Sequence, residues 1–245
     1  MKSILTFIII LFAVTNAHAS EPLRILYIGN SLTFMHNIPQ LFADIAASKG
    51  ETVEFHAHTP GGATFEDHDQ NQILTDLLQE QSWDVVLLQE QSQRTAFPEE
   101  QKERVVYEPA ANLVSKARSA NPEAEIIFYM TFARRNGDPM NVRVMPQVKT
   151  YLGMQDLVIA SYEEMVEEND AGLAPVGKVW KDMRREHPNI ALYDDAVHQN
   201  SLGAYLAACT IFVTIFGQSC AGTPVAGQYD QESVAIVHRM IDAHL

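Results

Sequence analysis

The sequence predicts an α/β fold in which a parallel sheet carries helices on both faces. Three observations predict it. Short apolar runs alternate with amphipathic helical stretches along most of the 245 residues, the order that builds βαβ units with right-handed crossovers. The run Val85-Val86-Leu87-Leu88 is apolar without alternation, as a strand covered on both faces must be. The runs also give way to glycine or polar turns such as Gly29-Asn30-Ser31 and Pro60-Gly61-Gly62, at the edge where parallel sheets bind ligands.

Taken in order, Leu23 to Ile28 is the first strand. Pro39 to Lys49 reads as a helix, with Leu41, Phe42, Ile45 and Ala46 on one face and Gly50 as its stop. Val53 to Thr59 is the second strand, Gln70 to Gln81 a helix, and Trp83 to Leu88 the third strand. Glu99 to Ala120 is a long helix, and Ile126 to Thr131 the fourth strand. The polar loop Arg134 to Asp138 precedes a helix lying between Val144 and Asn169. Pro175-Val176-Gly177 opens a weak fifth strand, with Val179 to Glu186 helical behind it. Leu202 to Phe216 and Glu232 to Ala243 are the last helices. No internal repeat and no linker rich in proline or serine interrupts this series, so residues 20–245 read as one domain.

Asp and Glu number 31 against 17 Lys and Arg, a formal net charge of −14. So acidic a surface repels phosphate backbones and anionic lipid, and no nucleic-acid partner is expected. Residues 1–19 read as a signal peptide: Lys2 supplies the positive start, Ile4 to Val14 the apolar stretch, and Ala17-His18-Ala19 the cleavage site. The apolar stretch is too short to cross a bilayer. The expectation is therefore a periplasmic or secreted protein with no stable membrane anchor. Export permits a disulfide between Cys209 and Cys220. The apolar helical pattern around Cys209 suits a buried free thiol equally well.

Beyond the strand ends lie the groups for nucleophilic chemistry. Gly29-Asn30-Ser31 presents a hydroxyl after the first strand, and Gly61-Gly62 offers bare backbone N–H groups after the second. Gln89-Glu90-Gln91-Ser92 follows the third. Near the C-terminus Asp195-Ala196-Val197-His198 sets a carboxylate three residues before an imidazole. A serine needs an adjacent base to attack, and a histidine base needs an acceptor on its other nitrogen. Each motif alone is common; their order along one sheet is not.

With these residues in place, the sequence resembles the SGNH hydrolases, the GDSL-like esterase and lipase superfamily. Ile28-Gly29-Asn30-Ser31-Leu32 is similar to the family's first block, with Asn30 where Asp is commoner, and Asp195-Ala196-Val197-His198 is similar to its last. The resemblance implies a flavodoxin-like three-layer α/β/α sandwich around a five-stranded parallel sheet. It implies Ser31 as nucleophile, His198 as general base and Asp195 as its orienting carboxylate. The oxyanion would be held by the N–H groups of Ser31 and Gly62, or else Gly61. The family's third block, Gly-x-Asn-Asp, is absent. Gln91 offers the same amide one methylene further out, and Gln89 competes for the role. No cofactor or metal is implied. The substrate expected is a short acyl ester, acetyl on a carbohydrate or another small molecule. The alternative is an exported carbohydrate-binding protein whose hydrolase site has decayed.

Five other features have plainer readings. His56 and His58 share a strand face and read as core or helix-packing histidines rather than metal ligands, since no Cys or third His stands at metal spacing. His68, between two aspartates, reads as a solvated turn. His36 reads as either a pocket-mouth or a helix-entry residue. Arg134 and Arg135 read as an exposed loop or as a clamp for a substrate carboxylate. Glu163, Glu164, Glu167 and Glu168 read as a solvated helix face.

Overall fold

A computed structural model describes residues 21–244. The expected signal peptide lies outside the described residues. Five parallel strands form one sheet: β1 (Leu23–Ile28), β2 (Val53–His58), β3 (Val85–Leu88), β4 (Glu125–Tyr129) and β5 (Gly172–Ala174). Their order is β2-β1-β3-β4-β5, the flavodoxin-like arrangement whose reversal point lies between β1 and β3. Register is exact along β1, where Leu23 pairs Val53 on one side and Ile25 pairs Val85 on the other.

The helices are α1 (Ser31–Phe34), α2 (Ile38–Ser48), α3 (Phe65–Asp69), α4 (Gln72–Glu80), α5 (Glu99–Lys102), α6 (Glu108–Ala120), α7 (Tyr151–Asn169), α8 (Val176–Glu186), α9 (Ser201–Phe216) and α10 (Gln231–Asp242). On one side α2 packs on α9, which in turn meets α8 and α10; on the other, α6 packs on α3, α4 and α7. Strands β3 and β4 lie between these layers, with Val85 to Leu88 and Ile126 to Tyr129 all buried. The absence of alternation seen in the sequence follows from that double cover. No helix among the described residues is long and apolar enough to cross a membrane.

Three expectations need correction. The fifth strand is Gly172–Ala174 rather than 175–177, because Pro175 caps α8 and Val176 and Gly177 already belong to that helix. Proline has no N–H to give a ladder, but that loss is harmless at a helix start. The stretch 99–120 is α5 and α6 joined by a π-helical turn, Glu103–Tyr107, that buries Val105, Val106 and Tyr107. Residues 65–69, expected outside any element, form α3. Thr64 and Asp67 build a capping box there, each side chain satisfying the other's backbone N–H.

Cys209 and Cys220 are joined as a disulfide. Among the described residues only these two and His238 cluster closely enough to share an ion. The bond commits both sulfurs elsewhere.

Candidate active site

The turn between β1 and α1 sets the geometry of Ser31. Asn30 is the N-cap of α1: its Oδ1 accepts the Leu32 N–H at 3.0 Å, while its Nδ2 donates to the Ala63 carbonyl at 2.8 Å. Gln89 supports the turn from beneath. Its Oε1 accepts the Asn30 N–H at 2.9 Å and the Thr33 hydroxyl at 2.8 Å. A Cβ on Gly29 would lie 2.6 Å from that Oε1, so only glycine lets the amide reach the turn. The buried ring of His68 completes the support, with Nε2 donating to the Gly29 carbonyl at 2.8 Å.

Asp195 and His198 come from the loop before α9. The Asp195 Oδ1 accepts the N–H groups of Val197 and His198, both at 2.6 Å, and this local turn leaves Oδ2 facing the ring. His198 Nδ1 lies 2.8 Å from Oδ2, and Nε2 lies 3.0 Å from Ser31 Oγ. With Nδ1–H donating to the carboxylate, Nε2 is left as the acceptor for the serine proton. Burial raises the Asp195 pKa somewhat, but the bonds from His198 and Val197 outweigh it and hold the group at about 2. Gln199 docks the loop on α1, its Nε2 donating to the carbonyls of Leu32 and Met35. His36 reaches Asp194 Oδ2 at 2.7 Å from the other side.

Gly62 has φ of +73°, a conformation that favours glycine. It lines a cavity of about 300 Å³ together with Ser31, Gln91, Gln93, Arg134 and His198. Gly61 does not border it. The Gln91 Nε2 donates to the Gly62 carbonyl at 2.5 Å, which orients the amide and leaves one N–H over. Behind this wall sits Glu90, 0% exposed. Its two oxygens accept the N–H groups of Phe65 at 2.7 Å and Gln91 at 2.6 Å, tying the Gly61-Gly62 loop to the end of β3.

Thus the structure brings together Ser31, Asp195, His198, Gly62 and Gln91. It separates Gln89, whose Oε1 holds the turn and whose Nε2 donates to the Glu90 carbonyl at 2.8 Å. Gln89 does not border the cavity, so of the two glutamines only Gln91 lines it. His68 is buried on α3 rather than solvated. The pair Thr64 and Asp67 was the overlooked signal, since a helix capped there places His68 three residues after Phe65, on the same face. His56 is exposed on edge strand β2 rather than in the core, while His58 packs edge-on against His68. Two of the four glutamates are engaged: Glu164 accepts the Tyr107 hydroxyl, and Glu163 pairs with Lys178.

No protein-family model and no curated protein sequence matches the chain. Solved structures do. A candidate SGNH hydrolase from Slackia heliotrinireducens is 24% identical with a TM-score of 0.66, over 79% of this chain and 99% of that one. A DUF4886 family protein from Bacteroides uniformis is 16% identical with a TM-score of 0.75, over 91% and 94%. An acetyl xylan esterase is 15% identical with a TM-score of 0.59, over 79% and 100%. At these identities the likeness is one of fold. The chain has the α/β architecture of the SGNH hydrolases.

Proposed function

We propose that the chain is a serine esterase acting on short acyl esters, acetyl on a carbohydrate or another small alcohol, after export from the cell. The observation that carries this is the continuous relay from Ser31 Oγ through His198 to Asp195, at 3.0 and 2.8 Å. Ser31 Oγ attacks the ester carbonyl carbon as its proton passes to His198 Nε2. The oxyanion that forms is met by the N–H groups of Ser31 and Gly62 and by the spare amide N–H of Gln91. Collapse expels the alcohol, which takes the proton from His198, and leaves an acyl group on Ser31. Water, deprotonated by the same nitrogen, then releases the acid and restores the serine. A relay kept intact and open to a cavity supports turnover over sugar binding alone. The acetyl xylan esterase of similar fold, and the scarcity of apolar wall beyond Leu32 and Val197, favour a small acyl group.

A serine-directed phosphonate followed by intact-mass measurement tests the reading. One adduct is expected, and Ser31→Ala should abolish it and lower acetate release by roughly 10³-fold or more. Near-normal turnover in a folded Ser31→Ala variant overturns the mechanism.

A further inference from the structure

We propose that Arg134 makes this cavity select esters carrying a carboxylate, an inference that rests on the esterase reading above. Arg134 lies just past β4, at the sheet edge that carries the site, and borders the same cavity as Ser31 and His198. Its neighbour Arg135 is exposed and outside that cavity; the Arg135 backbone N–H instead holds the Ala196 carbonyl of the histidine loop at 2.9 Å. The two arginines of the loop therefore have separate places, and one of them shares a cavity with Ser31.

The way Arg134 is held leaves it free to bind. Its Nη2 donates to Gln93 Oε1 at 3.1 Å, and Gln93 Nε2 donates onward to Asp138 Oδ2 at 2.6 Å. Asp138 is 2% exposed and already receives Asn141 Nδ2 at 2.6 Å and the Met140 N–H at 3.1 Å. Neutral donors supply the hydrogen bonds of the buried carboxylate, and Arg134 Nη1 forms only a long ion pair with its Oδ1 at 3.6 Å, beyond hydrogen-bond range. Arg94 nearby shows the contrast: its Nη2 closes on Glu66 at 2.6 Å, as an arginine engaged in structure does. Arg134 is positioned by one amide and one long ion pair, and most of its five N–H donors make no hydrogen bond within the chain. A planar guanidinium so placed suits a carboxylate, which it can meet with two parallel bonds. Beside Arg134 the wall carries Ser92, Gln91 and Gln93, polar and uncharged, together with the apolar Leu32 and Val197. In a chain of net charge −14, a cation beside the nucleophile offsets a repulsion that anionic esters would otherwise meet.

The test compares para-acetoxybenzoate with para-acetoxybenzamide, and the meta pair likewise, each pair differing in charge at nearly constant shape. For at least one pair kcat/KM should favour the carboxylate about tenfold or more, as a charge-assisted hydrogen bond allows. Arg134→Gln should bring that ratio near one, chiefly through KM, with Arg134→Lys between. A wild-type ratio at or below one for both pairs, or a ratio unchanged in a folded Arg134→Gln variant, overturns the proposal. Should that variant not fold, the wild-type ratios decide alone. Amides cleaved without preference would sink anion selection only. No cleavage and no phosphonate adduct at Ser31 would sink the esterase reading and this one with it.

Discussion

Gln89 and Gln91 sit two residues apart and do different work. Gln89 is buried under the Ser31 turn with both amide atoms engaged, whereas Gln91 lines the cavity with a donor to spare. Gln91→Ala should therefore lower kcat by about 10²–10³-fold, the usual cost of one oxyanion donor, with melting temperature and KM little changed. Gln89→Ala should first lower stability, by about 1–3 kcal/mol, since it strands the buried Asn30 N–H and Thr33 hydroxyl. Kinetics on one acetyl ester beside thermal melts of both variants checks this. A large rate loss at Gln89 without destabilisation, and none at Gln91, would reverse the roles. Sequence could not separate them, because residues two apart on an extended segment share a face. What separates them is the space beneath Gly29. The contact of Ser31, His198 and Asp195 was legible for the opposite reason: Asp195 reaches His198 within one local turn, and Ser31 stands at a sheet edge where topology brings that loop.

Helices with strong caps were legible to within about two residues: Asn200 before α9, Asn71 before α4, Asp230 before α10. The fifth strand was not, being three residues long at the sheet edge and followed at once by a proline-capped helix. Periodicity has nothing to measure over three residues. The disulfide also belongs to this scale. Cys209 lies in buried α9, and the chain turns back through Gly217, at φ +62°, to bring Cys220 against it. The composition around Cys209 gave no warning of that return. Replacing both cysteines by alanine should cost about 2–3 kcal/mol, since closing so short a loop restricts the unfolded chain only moderately. Urea denaturation should show that loss with the specific activity of the folded protein retained; unchanged stability would mean the bond contributes nothing.

Two buried groups near the site give the whole molecule a pH signature. Burial pushes the Glu90 pKa from 4.5 up to about 8, against the pull of its two N–H donors, and pushes His68 from 6.5 down to about 4. Between about pH 4.5 and 6.5 the folded chain holds a proton on Glu90 that the unfolded chain has lost, so this group makes stability fall as pH rises. Over the same window His68 is neutral when folded and protonated when unfolded, so it makes stability rise. Their slopes, each up to about 1.4 kcal/mol per unit, oppose one another there. From about pH 6.5 to 8 Glu90 acts alone, and stability should fall. Glu90→Gln should abolish that alkaline decline, and urea titrations of both proteins across this range test it; parallel curves would refute it. Neither buried group was legible in sequence, where a Glu between two glutamines and a His between two aspartates both look solvated. The sheet was legible, because double-covered strands leave unbroken apolar runs. Its parallel order has a further effect, on the timing of assembly. Each of its ladders joins segments at least 30 residues apart, from Leu23 with Val53 to Ile127 with Gly172, and Ser31 meets His198 across 167 residues. Non-local closure of this kind is slow, since loop entropy is lost before contacts repay it. During synthesis Ser31 is made early and His198 late, so in the growing chain the serine has no imidazole beside it until the loop before α9 docks.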